Sequence, residues 1–197
     1  MKSCLLCGVG GQGTVLASRI IAEAAMNKGL FTRTAETIGM AQRGGSVVSH
    51  VRMGQSVPSP MIPFGQADVI IGFEPGEAVR NLKYLKPDGL VIVSDREVQP
   101  VTAALSGVSY SGQEMIAWLR EHCSRLIVLQ AREICEACGS ERVMNVALIG
   151  ALAESGEIEL TTADMEHAVE KRVKPRFIEL NKKALALGAG FAGRTSA

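Results

Sequence analysis

The sequence is poor in aromatic residues, in net charge and in long hydrophobic runs, and each shortage excludes a class of protein. Aromatic residues make up 4% of the chain, too few for a platform that stacks nucleic-acid bases. Lys and Arg number 21 against 20 Asp and Glu, so there is no basic excess to neutralise the phosphates of DNA or RNA. The longest nearly continuous apolar run, Val146 to Ala153, is far shorter than the roughly 20 residues of a membrane-spanning helix. We therefore expect no nucleic-acid partner and no membrane segment.

We expect neither a secretion signal nor a disulfide framework. Gly8 and Gly10 interrupt the apolar N-terminal run, and five cysteines without a signal are best explained as reduced thiols. We therefore expect a cytoplasmic protein. Its 197 residues favour one domain, residues 1–187, followed by a loose tail of small and polar residues, 188–197.

What the sequence has in excess is glycine, at 21 of 197 residues against a usual ~7%. Glycines separate alternating strands and helices. The alternation begins with a strand at Ser3–Val9, an amphipathic helix through Leu16 and Ile20, and a strand at Phe31–Thr37. Further strands are predicted at 46–53, 67–73, 90–94 and 126–129, with a short helix at 76–85 that Pro87-Asp88-Gly89 ends. The pattern predicts a three-layer α/β/α fold with a mostly parallel, Rossmann-like sheet and a helical C-terminal third.

The first glycine cluster is a Gly-x-Gly-x-x-Gly pattern that follows a strand and opens a helix. Its candidate binding residues are Gly8, Gly10, Gly11, Gln12 and Gly13. Glycines allow a tight turn and let backbone N–H groups approach an anion at the positive end of the helix. Glu36, 23 residues past Gly13, matches the position of a ribose-binding carboxylate. A turn that needs glycine only for packing is the alternative that the pattern leaves open.

The second glycine cluster joins the second strand to the third. The guanidinium of Arg43 in this cluster can bind a phosphate or a carboxylate, and the neighbouring glycines give access to it. A surface turn with a solvated arginine is the alternative. Asn145 is a further candidate, because it could tie the start of a helix to the same region. The candidate residues of the cluster are Gln42, Arg43, Gly44, Gly45 and Ser46.

Together, Gly8-Val-Gly-Gly-Gln-Gly13 and Ala41-Gln-Arg-Gly-Gly-Ser46 resemble the gamma subunits of the 2-oxoacid:ferredoxin oxidoreductases. The segment Gly39–Arg52 is most similar to the small (beta) subunits of the indolepyruvate type. The likeness continues through Ala67–Pro75 and Asn145–Leu152 to the terminal helix, and so covers nearly the whole chain.

The resemblance implies a subunit of an enzyme rather than an independent enzyme. Complexes of this family decarboxylate a 2-oxo acid on thiamine diphosphate, transfer the acyl group to coenzyme A, and pass electrons through 4Fe-4S clusters to ferredoxin. Thiamine diphosphate and the clusters are expected in a large partner subunit, with no cofactor held by this chain alone and coenzyme A contacted by its glycine loops. The isolated chain is expected to be inactive and to carry no catalytic residue, and a homodimer in isolation is left open.

Two Cys-x-x-Cys pairs superficially suggest a metal site. Side chains alternate along a strand, so Cys4 and Cys7 are expected to point to opposite faces of the sheet. Cys135 and Cys138 lie within a helix and not at its N-terminus, where a thiol would be activated. We therefore expect the five cysteines to pack as small hydrophobic side chains, and no metal site. His50, on the third strand, either lines the site or is a hydrogen-bonded core residue.

Two other functions remain open on this evidence. A NAD(P)-dependent dehydrogenase would use Gly8, Gly10, Gly13 and Glu36, although the sequence offers no base for its substrate site. A non-catalytic assembly module would use the glycine loops only to hold a complex together.

Overall fold

The described strands form one six-stranded sheet with helices packed on both faces. The computed structural model describes residues 1–38, 44–99 and 109–195. The strands are β1 (Lys2–Val9), β2 (Phe31–Ile38), β3 (Ser46–Gly54), β4 (Ala67–Gly72), β5 (Leu85–Ser94) and β6 (Arg125–Leu129). The helices are α1 (Thr14–Asn27), α2 (Pro75–Asn81), α3 (Gly112–His122), α4 (Ala131–Cys138), α5 (Met144–Glu154), α6 (Thr162–Arg172) and α7 (Ile178–Thr195). Of these described helices, none is long and apolar enough to span a bilayer.

The strand order is β2-β3-β1-β4-β5-β6. β1, β4, β5 and β6 pair in parallel, whereas β3 runs antiparallel to both of its neighbours. The predicted α/β fold, with a mostly parallel sheet and a helical C-terminal third, is confirmed. The order differs from a simple β1-α1-β2 unit, because β3 pairs with both strands and so lies between them.

β1 divides the core in two, because its side chains alternate between the faces of the sheet. Cys4 and Leu6 lie in the cluster that includes α1, α5, α6 and α7, whereas Leu5 and Cys7 lie in the cluster with α2 and α3. The prediction that the two cysteines face opposite sides is confirmed. Burial raises the pKa of the Cys4 thiol to about 12, so this thiol stays protonated. The other three cysteines pack at the margins of the same clusters: Cys123, Cys135 and Cys138.

The start of β5 differs from the prediction that Pro87–Gly89 separates a helix from a strand. In the structure these residues belong to β5, which begins at Leu85 and pairs there with Ala67 of β4. The register of the two strands shifts between Ala67 and Val69. Proline has no N–H to donate to a neighbouring strand, so within a sheet it is found at such irregularities, where the regular hydrogen bonding is interrupted.

The C-terminal segment is helical, so the predicted loose tail at 188–197 is wrong for residues 188–195. Phe191 and Ala192 are 8% and 2% exposed, which means that this end of α7 is part of the core. A Cβ at Gly188 would overlap the carbonyl of Ala147 in α5, and a Cβ at Gly150 would overlap α7. The small residues therefore allow close contact between two helices, which composition alone does not distinguish from a frayed tail.

Gly188→Ala should destabilise the protein, because the added methyl group meets the α5 backbone and neither helix can move without opening the core. We expect the free energy of unfolding, measured by urea denaturation, to fall by about 1–3 kcal/mol. Gly190→Ala is the matched control, since no described atom lies within 4 Å of its Cβ position and alanine is the better helix former. An equal loss of stability at both positions would contradict the close contact.

Candidate functional site

A cavity of about 590 Å³ opens at the carboxyl ends of β1, β4 and β5. The order of the strands reverses between β1 and β4, and open α/β sheets bind their ligands in the crevice at such a point. We call this space the switch-point cavity. Its wall comes from the turn before α1, the residues after β4 and β5, and the start of α5: Gly10, Gly11, Gln12, Gly13, Phe73, Ser94, Arg96, Val98, Glu141, Arg142, Met144 and Asn145.

The turn after β1 presents the N-terminus of α1 to the cavity. Gly11 and Gly13 have φ angles of +104° and +83°, a backbone conformation that favours glycine. Gly13 is the N-cap of α1, where no described side chain provides a cap and the first turn contains no acidic residue. The first N–H groups of a helix have no carbonyl partners within it and lie at its positive end. These features favour an anion at this side of the cavity.

The Gln12 side chain holds the turn against β4. Its Nε2 donates to the carbonyl of Phe73 (3.1 Å), and its Oε1 accepts from the N–H of Val9 (2.7 Å). Gly8 permits this approach, because a Cβ there would lie 2.7 Å from both Gln12 Oε1 and Phe73 Cβ. Of the two residues predicted as ligand contacts, Gln12 lines the cavity and its amide also fixes the turn, whereas Gly8 lies in β1 and is not part of the cavity wall.

Within the described residues, the two glycine clusters are in contact with each other. The N–H of Gly10 donates to the carbonyl of Gly45 (2.9 Å), and Gly44 precedes it with a φ of +79°. Ser46 opens β3, and its hydroxyl donates to Glu77 (2.6 Å). The remaining predicted residues of this cluster, Gln42 and Arg43, lie outside the described residues.

Two buried glutamates stabilise the start of α2 behind the cavity. Glu74 accepts from the N–H of Glu77 (3.0 Å) and from the Tyr110 hydroxyl, and its burial raises the pKa of its carboxyl. Glu77 accepts from Ser46 and pairs with Arg80 (2.5 Å). Because each of these carboxylate oxygens has a protein partner and neither residue belongs to the cavity wall, we assign both glutamates to the scaffold.

Asn145 brings a second helix N-terminus to the cavity. It lies in the first turn of α5 and is 4% exposed, and its Oδ1 accepts from the N–H of Val146 (3.0 Å). Its Nδ2 lies 2.8 Å from the position that a Cβ on Gly13 would take. The start of α5 is therefore in contact with the glycine turn. Unlike α1, α5 continues directly from the 3-10 turn Glu141–Val143, where the Ser140 hydroxyl accepts from the N–H of Arg142 (3.3 Å).

The cavity also contains charged residues that the glycine patterns do not indicate. Arg96 follows β5, where the Ser94 hydroxyl accepts from its N–H (3.2 Å), and its guanidinium pairs with Glu141 (2.8 Å). Arg142 is adjacent to Glu141 in a 3-10 turn that leads into α5. Arg96 could have been found from its position, because it follows a parallel strand whose carboxyl end lies near that of β1. No comparable signal identifies Arg142.

Glu36 and His50 lie away from the cavity. Glu36 is exposed on β2 and pairs with Ser49, so β3 separates it from β1, and it does not occupy the adjacent strand that a ribose-binding carboxylate requires. His50 is 1% exposed, and its Nδ1 accepts from the N–H of Ile62 (3.2 Å) beside the ring of Tyr84. Of the two interpretations of His50, the structure supports the hydrogen-bonded core residue.

Gln12→Met should destabilise the fold, because the Phe73 carbonyl and the Val9 N–H both lose a partner while the side-chain volume is kept. We expect a loss of about 1–3 kcal/mol in the free energy of unfolding, measured by urea denaturation. Gln113→Met, at an exposed position on α3, should change that free energy by less than about 0.5 kcal/mol. If the two variants are equally stable, Gln12 does not hold the turn.

We expect the free energy of unfolding to decrease as the pH falls, because of His50. Burial lowers the pKa of its imidazole below the usual value, so the unfolded chain takes up a proton first as the pH falls below about 6.5. Its contribution is complete above that pH and is lost as the pH falls through the folded-state pKa. His50→Asn keeps an acceptor for Ile62 but does not titrate, so its unfolding free energy should depend less on pH between about 5.5 and 7.5. His167→Asn, at an exposed position, should retain the wild-type dependence.

Comparison with known proteins shows the family to which the chain belongs. The family model described as pyruvate ferredoxin/flavodoxin oxidoreductase matches residues 3–191. The Archaeoglobus fulgidus protein named indolepyruvate oxidoreductase subunit IorB is 43% identical over 193 residues, which cover 96% of each chain.

Two solved structures share the fold. The gamma subunit of keto/oxoacid ferredoxin oxidoreductase from Geobacter sulfurreducens has a TM-score of 0.70 at 23% identity, over 98% of this chain and 99% of that one. The 2-oxoglutarate:ferredoxin oxidoreductase from Magnetococcus marinus, solved with 2-oxoglutarate, coenzyme A and succinyl-CoA bound, has a TM-score of 0.72 at 16% identity, over 98% of this chain and 31% of that one. The resemblance carried by the two glycine clusters is confirmed, and the chain belongs to the pyruvate ferredoxin/flavodoxin oxidoreductase family.

Proposed function

We propose that the chain is the small subunit of a cytoplasmic, indolepyruvate-type 2-oxoacid:ferredoxin oxidoreductase, and that its switch-point cavity binds the phosphate groups of coenzyme A. The observation that carries the proposal is the electrostatic character of the cavity. The N-terminus of α1, without a cap from a described side chain, opens into it beside Arg96 and Arg142. Helix N-termini and arginines are the groups with which proteins commonly bind phosphates.

The size of the cavity and the similar proteins support this ligand. A volume of about 590 Å³ is within the range of small-molecule sites. The relative that is 43% identical is named an indolepyruvate oxidoreductase subunit, and a structure that shares this fold over 31% of its chain was solved with coenzyme A bound. Because the Gln12 amide is engaged with β4, the donors that we assign to the ligand are backbone N–H groups of the glycine turn and the two arginines.

The role proposed for this chain is to bind and orient coenzyme A, not to catalyse a step. Thiamine diphosphate, which supplies the decarboxylation chemistry, and the 4Fe-4S clusters that lead to ferredoxin are assigned to a large partner subunit. Clusters of this kind take four cysteine ligands, whereas Cys4 and Cys7 lie on opposite faces of the sheet. In the described ranges no group of three or more His, Cys, Asp or Glu side chains is placed to hold a metal ion.

Arg142→Gln in the complex reconstituted with the large subunit should raise the KM for coenzyme A about tenfold or more, because a charge-assisted hydrogen bond to phosphate is lost. The KM for indolepyruvate and the amount of assembled complex should stay unchanged. The measurement is indolepyruvate-dependent reduction of ferredoxin, with Arg19→Gln, exposed on α1, as the control.

Three outcomes would contradict the proposal. An unchanged KM for coenzyme A would show that Arg142 does not bind coenzyme A. Dissociation of the complex would favour the assembly module. Oxidation of indolepyruvate by the isolated chain would overturn the division of labour between the subunits.

A further inference from the structure

Two cavities lie side by side where β5 ends. The switch-point cavity and a second cavity of about 460 Å³ have Arg96 and Glu141 in common. The second cavity extends along α4, where Ala131 and Cys135 line it. Arg96 Nη2 donates to Glu141 Oε2 at 2.8 Å, so this ion pair forms the boundary that the two spaces share.

The ion pair at this boundary is easily opened. The side chains of Arg96 and Glu141 are 42% and 73% exposed, and pairs at such exposure shift an equilibrium by about fivefold at most. A phosphate can accept two hydrogen bonds from the planar guanidinium, which makes it a stronger partner than a carboxylate held by one contact. The backbone of Arg96 is held separately, because the Ser94 hydroxyl accepts from its N–H (3.2 Å). A phosphate can therefore bind the Arg96 guanidinium without a rearrangement of the backbone in the cavity wall.

We infer that Glu141 is an internal competitor for the phosphate site, and that a ligand phosphate displaces it from Arg96 and joins the two cavities into one groove. The inference rests on the proposed function and adds to it a residue that determines specificity. A small anion occupies only the switch-point cavity and must still displace Glu141. A ligand whose phosphates carry a long arm also fills the second cavity as far as Cys135, so the joined groove favours the long ligand.

Binding of inorganic pyrophosphate to the complex with the large subunit, measured by isothermal titration calorimetry, tests the competition. Glu141→Gln should tighten pyrophosphate binding about three- to tenfold, because Arg96 is freed and a negative charge leaves the wall. Glu170→Gln, which removes a glutamate paired with Lys182 outside both cavities, should leave the binding unchanged.

A double-mutant cycle separates competition from simple charge repulsion. In an Arg96→Gln background, the gain from Glu141→Gln should shrink to less than about half, because the two residues act on each other. A full gain in that background, or no gain in the wild-type background, overturns the competition.

Alkylation of Cys135 by iodoacetamide in the same complex, followed by peptide mass spectrometry, tests the joined groove. Acetyl-CoA, which has no free thiol, should slow the alkylation of Cys135 about threefold or more at saturation, whereas pyrophosphate is too short to do so. Cys138, on the same helix but outside the second cavity, is the internal control and should react at an unchanged rate. The groove is overturned if acetyl-CoA binds without protecting Cys135, or if Cys135 is not alkylated in the ligand-free complex.

Failure of the inference and failure of the proposed function give different results. If neither pyrophosphate nor acetyl-CoA binds the wild-type complex, the proposed function fails and the inference fails with it. If both bind and Glu141→Gln changes neither affinity, the inference alone fails.

Discussion

The carboxyl ends of β1 and β4 are held together by a few short contacts on which the rest of the site depends. The N–H of Phe73 donates to the carbonyl of Cys7 (2.8 Å), and Gln12 Nε2 donates to the carbonyl of Phe73 (3.1 Å). Gly8 has no side chain to keep these groups apart. Each hydrogen bond contributes only about 1 kcal/mol net, but together they fix the direction in which α1 leaves the sheet. That direction decides whether the first N–H groups of α1 open into the cavity.

The opposite wall is positioned by packing instead of hydrogen bonds. Residues 144–153 of α5 are all buried, as expected of a helix that is enclosed by the core on every side. Close approach of α7 at Gly150 and Gly188 fixes the depth of α5. Since Asn145 is in the first turn of α5 and Arg142 lies just before it, the hydrophobic core sets the position of polar groups in the site.

The features that were predictable from the sequence are those that local physics determines. The spacing of hydrophobic residues, the apolar runs and the glycine conformations identify the strands, α1 and the turn at Gly11 and Gly13. Each of these features depends only on residues that are close in sequence. The insertion of β3 between β1 and β2 depends on pairing between distant segments, and so does the strand character of Pro87. Arg96 becomes a site residue only when β5 is placed near β1, which no local pattern specifies.

The near-zero net charge and the glycine excess have one explanation at this site. A chain with a formal charge of +1 can still bind an anion, because backbone N–H groups at helix N-termini supply positive potential without any charged side chain. Such donors require close approach of the backbone, which glycine allows and larger residues prevent. Arg96 and Arg142 then add charge only at the wall of this cavity, and Glu141 offsets part of it through its ion pair with Arg96. The site thus concentrates positive potential in one crevice, and the surface as a whole does not need the basic excess that would attract unrelated polyanions.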